Sequence, residues 1–239
     1  MPAIAAEKDT RCFELRVYYA APGKLDDLNK RFREHTCALF EKHGITNIGY
    51  WTPIENPDNK LIYVTACPSK EARAKAWKEF GADPEWQAAQ KASEANGKLV
   101  TKVESTFWQA TDFSPAIKPA SAGPRVFELR TYTTTPNNLD RLLARFRDHT
   151  CSLFEKHGIT NLSYWTMLPG QAGAENTLMY IITHKDAEAA KASWAAFRAD
   201  PDWVAAKAAS EKEGGGSLTV LPDGVKSVFM QATDYSPTK

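Results

Sequence analysis

Two matching sets of polar side chains lie on predicted strands and could hold a ligand. Within each set the residues alternate, so all three point to one face of the strand. An arginine can hold an anion or a carbonyl group, and a tyrosine can orient it. Charges on a buried sheet face are costly unless paired, so the alternative is an ion-pair network that fixes how the two halves dock. The sets are Glu14, Arg16, Tyr18 and Glu128, Arg130, Tyr132.

Two histidines occupy matching positions beside the apolar stripe of a predicted helix. His35 and His149 could act as general bases near neutral pH if they reach a cleft. The alternative is a partly buried histidine with an ordinary hydrogen-bond partner. His43 and His157 precede a glycine in the last helical turn, where they complement the negative end of the helix.

Several aromatic residues on predicted strands could line an apolar pocket or fill the core. They are Tyr50, Trp51, Tyr63 and Trp108 in the first half and Tyr164, Trp165 and Tyr180 in the second. Some strand positions differ between the halves, and chemistry confined to one half would draw on those. His184 replaces Cys67 and Met230 replaces Trp108, so His184 joins the candidate ligand-binding residues.

The chain is a tandem duplication. Residues 31–46 recur as 145–160, and fourteen of the sixteen positions are identical. The offset between the copies changes only where turn residues accumulate, which places the insertions in surface loops. We expect one unit at 11–110, a second at 125–232, and a stiff, extended proline-rich linker at 111–124 between them.

Each copy has the pattern βαββααβ, which predicts an α+β, ferredoxin-like unit with an antiparallel sheet and helices on one face. We expect Phe13, Leu15, Val17 and Tyr19 to face the helices and the polar stripe to face away from them. Two such polar faces could close on each other as an intramolecular α+β barrel with its helices outside. The expected elements of the first copy are strands at 12–19, 45–52, 60–67 and 99–108 and helices at 22–43, 69–80 and 84–96.

Composition excludes several classes of function. The net charge is +1 without a long run of one sign, which argues against nucleic-acid binding and against attraction to anionic lipids. No signal peptide and no membrane-spanning segment is predicted. Four cysteines without a CxxC spacing predict neither a disulfide framework nor a zinc site, and a reducing cytoplasm fits them best. No motif for a nucleotide or metal is found, so we expect no cofactor.

The chain resembles the NIPSNAP family of the dimeric α+β barrel superfamily. The resemblance is carried in both halves by the strand Phe-Glu-Leu-Arg-x-Tyr, the helix Arg-Phe-Arg-[Glu/Asp]-His-Thr-x-x-Leu-Phe-Glu-Lys-His-Gly-Ile and a following Tyr-Trp. It implies a barrel of two ferredoxin-like units, formed here as a pseudo-dimer within one chain. Two chains could also pair as a homodimer.

The resemblance implies little about chemistry, because the family has no agreed catalytic residues. Superfamily relatives include cofactor-free oxygenases, haem-degrading enzymes and dehalogenases. The leading hypothesis is a protein that binds a small molecule in the barrel, with cofactor-independent oxygenase activity as one form of it. The alternative is a non-catalytic interaction protein whose polar lumen is purely structural.

Overall fold

The computed structural model describes residues 9–117, 123 and 125–239. Among these residues each copy of the repeat has the expected strands and helices, and the first helix of each copy contains a π-helical turn. The first copy contains β1 (Cys12–Ala20), α1 (Leu25–Arg31), a π-turn (Phe32–Thr36), α2 (Cys37–Lys42), β2 (Thr46–Pro53), β3 (Lys60–Cys67), α3 (Lys70–Ala82), α4 (Pro84–Ser93) and β4 (Val100–Ala110). The second contains β5 (Val126–Thr133), α5 (Leu139–Arg145), a π-turn (Phe146–Thr150), α6 (Cys151–Lys156), β6 (Thr160–Met167), β7 (Thr177–His184), α7 (Ala187–Ala199), α8 (Pro201–Glu213) and β8 (Val225–Ala232).

The predicted fold class is confirmed. The strands are hydrogen-bonded in the order β1-β3-β2-β8-β5-β7-β6-β4, and this antiparallel sheet closes into a barrel. The chain divides into two compact units, and each unit includes a short segment that lies outside its own repeat in the sequence. The first unit combines Thr10–Gln109 with Met230–Lys239, and the second combines Pro124–Phe229 with Ala110–Ile117. No helix in the described part of the chain is long and apolar enough to span a membrane.

Helix boundaries follow local signals in most places. Ser69 caps α3 and Asp83 caps α4 through their side chains, as their short polar side chains favour. Gly44 ends the first helix with φ of 75°, the left-handed conformation that glycine adopts without strain.

Thr135 followed by Pro136 has the form of a helix N-cap and a first helical residue, but the helix does not start there. α5 begins at Leu139 after Asn138, because Asn137 has φ of 63° and cannot continue a right-handed helix. The hydroxyl of Thr135 instead donates to the carbonyl of Ser217 at 3.1 Å.

Each unit has an aromatic core between its sheet and its helices. In the first unit the Phe32 ring lies 5.2 Å from Tyr63 and 5.5 Å from Tyr50, centroid to centroid. Phe40 continues the cluster to Phe80 at 4.9 Å. The second unit repeats the arrangement around Phe146. Because these rings are fully buried, they account for much of the packing of each helical layer on its sheet.

The last residues of the chain are bound to the first unit. The backbone N–H of Tyr50 donates to Ser236 Oγ at 2.9 Å. The Tyr235 ring stacks on Phe32 at a centroid distance of 6.3 Å and an interplanar angle of 15°. The Tyr235 hydroxyl donates to Asn29 Oδ1 at 2.8 Å. The C-terminal segment therefore completes the aromatic core of the first unit.

Residues 111–115 make the same kind of contact with the second unit. The backbone N–H of Tyr164 donates to Ser114 Oγ at 2.9 Å, and the Phe113 ring lies 5.4 Å from the Tyr164 ring. The predicted linker, 111–124, therefore begins with a segment docked on the second unit. Its later prolines, Pro119 and Pro124, lie outside the described residues.

We expect Tyr235→Ala to lower the free energy of unfolding by about 2 kcal/mol, because it removes a partly buried ring from the core. Tyr235→Phe should cost about 1 kcal/mol, the value of one hydrogen bond. Urea unfolding of both variants would measure this, with the exposed Lys78→Ala as the control. A Tyr235→Ala variant as stable as the control would show that the C-terminal segment does not support the first unit.

Candidate functional site

A cavity of about 350 Å³ lies between the sheet and the helices of the first unit. We call it the first-unit cavity. Six aromatic residues and two valines form the apolar part of its wall, and the other seven lining residues are polar or charged. Its lining residues are Tyr18, Arg31, Phe32, Thr36, Phe40, Trp77, Phe80, Trp86, Gln90, Glu94, Lys98, Val100, Thr101, Lys102 and Val103.

The first π-turn brings Arg31, Phe32 and Thr36 to this cavity. A π-turn inserts an extra residue into a helix and is frequent at functional sites. The hydroxyl of Thr36 donates to the carbonyl of Arg31 at 3.2 Å, which satisfies a carbonyl in the altered turn. The second unit has the same bond, from Thr150 to Arg145, at 3.1 Å. The turn is therefore a feature of the repeat itself.

Arg31 is the buried cation of the cavity wall, with 4% of its side chain exposed. One guanidinium nitrogen donates to Glu94 Oε1 at 3.2 Å and to Ser93 Oγ at 3.3 Å. The guanidinium carbon lies 5.2 Å from the centre of the Trp86 ring. The side chain thus joins the π-turn to the end of α4.

The polar stripe of β1 faces the helices, so our prediction that it faces away from them is wrong. The guanidinium of Arg16 stacks 4.2 Å from the centre of the Trp77 ring on α3. It also donates to the Tyr18 hydroxyl at 3.2 Å. Both Tyr18 and Trp77 line the first-unit cavity. Arg16 therefore contacts two of the aromatic residues in the cavity wall.

Glu14 is the buried anion beneath this wall, with 2% of its side chain exposed. Its carboxylate accepts hydrogen bonds from Arg16 at 2.5 Å, from Arg73 at 2.6 and 2.7 Å and from Ser105 at 2.6 Å. Burial alone would raise the pKa of Glu14, but the bonds from Arg73 and the charge of Arg16 outweigh it and lower the pKa. A single carboxylate therefore ties β1 to α3 and β4.

The second unit keeps the carboxylate with its arginine and serine partners and replaces the contribution of Arg73. Glu128 accepts from Arg130 at 2.5 Å and from Ser227 at 2.6 Å. Trp194 Nε1 donates at 2.8 Å, and His184 Nε2 lies 2.9 Å from the same oxygen. Burial raises the pKa of Glu128, but the His184 bond and the Arg130 charge outweigh it and bring the pKa to about 2.

These partners correct the predicted docking network between the halves. Among the described residues, the hydrogen-bond partners of Glu14 and Glu128 belong to the same repeat as the carboxylate. His184 and Ala190 occupy the positions of Cys67 and Arg73. In the second unit, His184 on the strand therefore bonds to the carboxylate in place of Arg73, which lies on the helix of the first unit.

The predicted catalytic histidines lie elsewhere. His35 and His149 are exposed on the two π-turns, and His35 is not among the residues that line the first-unit cavity. Exposure contradicts the interpretation of both as partly buried histidines, and a role for them as general bases stays a prediction. Their position follows from the π-turn, which directs Phe32 and Thr36 inward and leaves His35 on the solvent side.

The histidines at the helix ends bond to a capping aspartate. His43 Nε2 lies 2.7 Å from Asp83 Oδ2, and Lys42 Nζ lies 2.9 Å from the same oxygen. Bonds from Lys42 and His43 keep the pKa of Asp83 well below its usual value. His157 and Asp200 repeat the contact at 2.6 Å. Hydrogen bonding to the cap of the next helix thus supplements the predicted interaction with the helix end.

The seven aromatic candidates are buried but do not line the first-unit cavity. Tyr50 and Tyr63 stack on each other in the core at 5.2 Å, and Tyr164 and Tyr180 do so at 5.1 Å. The core interpretation accounts for these four. Trp51, Trp108 and Trp165 are also buried. Within the described residues no group of three or more His, Cys, Asp or Glu side chains is placed to hold a metal ion.

Sequence reasoning missed Arg31, Trp77 and Glu94. Arg31 opens the repeated helix segment, which was a usable signal. Trp86 follows Asp83 and Pro84 at the start of α4, a position typical of a packing residue, and it does pack on Phe80 at 4.5 Å. Its contact with Arg31 depends on how α4 lies against α1, which no local pattern specifies.

The exchange of partners around the two carboxylates leads to a test. Arg73→Ala should lower the free energy of unfolding by about 3 kcal/mol, because Glu14 stays buried with fewer bonds. Adding Cys67→His should recover at least about 1 kcal/mol, since a histidine there can bond to Glu14 as His184 does to Glu128. Urea unfolding of the two single variants and the double variant would measure the coupling. Strictly additive effects would contradict this account.

Comparison with known proteins places the chain among relatives of the same fold. A NIPSNAP-like domain protein from Burkholderia xenovorans is 21% identical, covering 46% of this chain and 92% of its own, with a TM-score of 0.41. An anthrone oxidase-like protein is 14% identical over 99% of this chain and 97% of its own, with a TM-score of 0.59. A putative monooxygenase from Fusobacterium nucleatum is 12% identical over 93% of this chain and 92% of its own, with a TM-score of 0.57.

No curated protein matches the chain. The two full-length structural matches share the fold of this protein at low sequence identity. The NIPSNAP family model matches residues 13–115 and 127–221, which cover most of both repeats. The chain therefore belongs to the NIPSNAP family.

Proposed function

We propose that this NIPSNAP protein binds a small organic molecule in the first-unit cavity. The observation that carries the proposal is an aromatic cavity of about 350 Å³ with one buried cation at its wall. Pockets for small ligands typically have volumes of about 300–1,000 Å³, mostly apolar walls and a few polar groups. The cavity lies on the helix side of the sheet, whereas the sequence favoured the interior of the barrel.

The aromatic wall favours a flat, apolar ligand body. Phe32, Trp77 and Trp86 present large apolar surfaces from three different helical segments. Arg16 donates to the Tyr18 oxygen at 3.2 Å, and a tyrosine hydroxyl that accepts one bond can still donate its own hydrogen to a carbonyl or hydroxyl oxygen of the ligand.

An oxygenase-type reaction is the second candidate. The names of two proteins with the same fold, one anthrone oxidase-like and one a putative monooxygenase, favour it, although fold alone is weak support for a reaction. Oxygenation without a cofactor would require a base that removes a proton from the substrate. The sequence favoured histidine for this role, whereas the cavity wall contains a carboxylate, Glu94, and no histidine.

The non-catalytic alternative draws its support from the carboxylate networks. Glu14 and Glu128 have their oxygens bonded within their own units, as expected for a role in stability. We assign the Glu14 network to positioning the cavity wall, and we place the ligand on neither network. The four cysteines are free thiols, and a reducing, cytoplasmic location forms part of the proposal.

Blocking the cavity at its rim would test the proposal. Gln90 lines the cavity from the exposed side of α4, so Gln90→Trp should fill its entrance without disturbing the core. We expect bicyclic aromatic amides and acids to bind the wild type with dissociation constants below about 1 mM and Gln90→Trp to weaken them at least about tenfold. Ligand-observed NMR and titration calorimetry would measure both.

Gln87→Trp supplies the matched control, because Gln87 is exposed on the same helix and is not among the lining residues. It should bind the panel as the wild type does. Binding that is equally weakened in both variants, or no binding by any member of the panel, would contradict the first-unit cavity as the site.

A further inference from the structure

We propose that the ligand of the first-unit cavity carries a carboxylate, which Arg31 binds in place of Glu94. This inference rests on the proposed function and specifies its ligand class as a flat aromatic acid. In the protein itself Glu94 acts as an internal anion that the ligand displaces.

Arg31 has the properties of an anion anchor. Its side chain is 4% exposed and lies against the Trp86 ring at 5.2 Å. Its Nε has no hydrogen-bond partner among the described residues. A planar guanidinium presents two parallel N–H groups to a carboxylate, and this one is aromatic-lined and opens on the cavity. A ligand carboxylate would meet a desolvated, partly unsatisfied arginine.

Glu94 holds Arg31 by a contact that is easily exchanged. It follows the last residue of α4, and 25% of its side chain is exposed. Its bond to Arg31 measures 3.2 Å, and the one other bond that its side chain makes within the described residues, from the N–H of Leu99, is a long 3.4 Å. A carboxylate that reaches water by turning its side chain gives up little when another anion replaces it.

The second repeat shows that the buried arginine does not require its glutamate. Arg145 occupies the position of Arg31 and donates to Ser210 Oγ at 3.3 Å. It has no ion pair within the described ranges. Glu211, at the position of Glu94, instead approaches Lys207 at 3.9 Å. Burial lowers the pKa of Arg145, as expected for a cation that has lost its counterion.

The same fold therefore keeps this arginine buried with and without the carboxylate. Burying a charged arginine costs free energy, and the fold does not need the glutamate to keep it buried. Such an arginine fits a role in binding a ligand. The aromatic rings around it favour an organic acid over inorganic phosphate, which brings no apolar surface to the cavity.

The test compares 2-naphthoate with 2-naphthamide, which have the same shape and differ in charge. Wild type should bind the acid more tightly than the amide. Glu94→Gln should strengthen binding of the acid by about tenfold and leave the amide unchanged, because the internal competitor loses its charge. Glu211→Gln is the matched control in the other repeat and should change neither. Titration calorimetry at a fixed salt concentration would measure all four proteins, with Arg31→Met as the fourth.

Arg31→Met should retain binding of the amide and lose the preference for the acid. If it fails to fold, the Glu94→Gln result still decides. Equal affinity of wild type for acid and amide, or weaker binding of the acid by Glu94→Gln, would overturn the inference while leaving the proposed function intact. Binding of neither probe to any of the proteins would count against both the cavity and the inference. Inorganic phosphate should compete only weakly with 2-naphthoate. If phosphate bound the cavity as tightly as 2-naphthoate does, the assignment to organic acids would be overturned.

Discussion

Glu14 carries a negative charge into the space between the sheet and α3, where water cannot solvate it. Removing a carboxylate from water costs several kcal/mol unless other groups bond to it. Its partners come from β1, α3 and β4, so these elements must meet at one place. Once Arg16 is held there, Trp77 stacks on it and Tyr18 bonds to it. The wall of the first-unit cavity follows from this constraint.

The duplication provides a comparison within one chain. Both units keep the carboxylate, the strand arginine and the tryptophan that stacks on it. Both also keep the serine of the last strand as a partner, Ser105 or Ser227. Arg73 is replaced by Ala190, and His184 stands at the position of Cys67. Hydrogen bonding to the anion is thus what both units preserve, and one of the residue types that supply it is exchangeable. This is the behaviour of a structural constraint, whereas a ligand site would depend on particular residues.

The sequence predicted the order of elements well, because strand alternation, capping residues and the glycine at 44 act locally. It failed on which face of β1 meets the helices. Alternation separates two faces but does not say which one is covered, and we assigned the apolar face to the helices. The deciding residues, Arg73 and Trp77, lie one turn apart on α3 and contact the stripe only after the helix packs on the sheet. The cavity likewise gathers residues from several elements.

Each unit is organised around a buried carboxylate that stays ionised. Because the pKa of this carboxylate is lowered, its stabilising effect is complete above about pH 4.5. The effect is lost as the pH falls toward the pKa in the folded protein, which is about 2 for Glu128. The most direct measurement is the carbon-13 chemical shift of the Glu128 carboxyl at about pH 3.5, assigned by comparison with Glu128→Gln. The account predicts the shift of an ionised carboxylate in the folded protein. A protonated Glu128 at that pH, with the protein still folded, would contradict it.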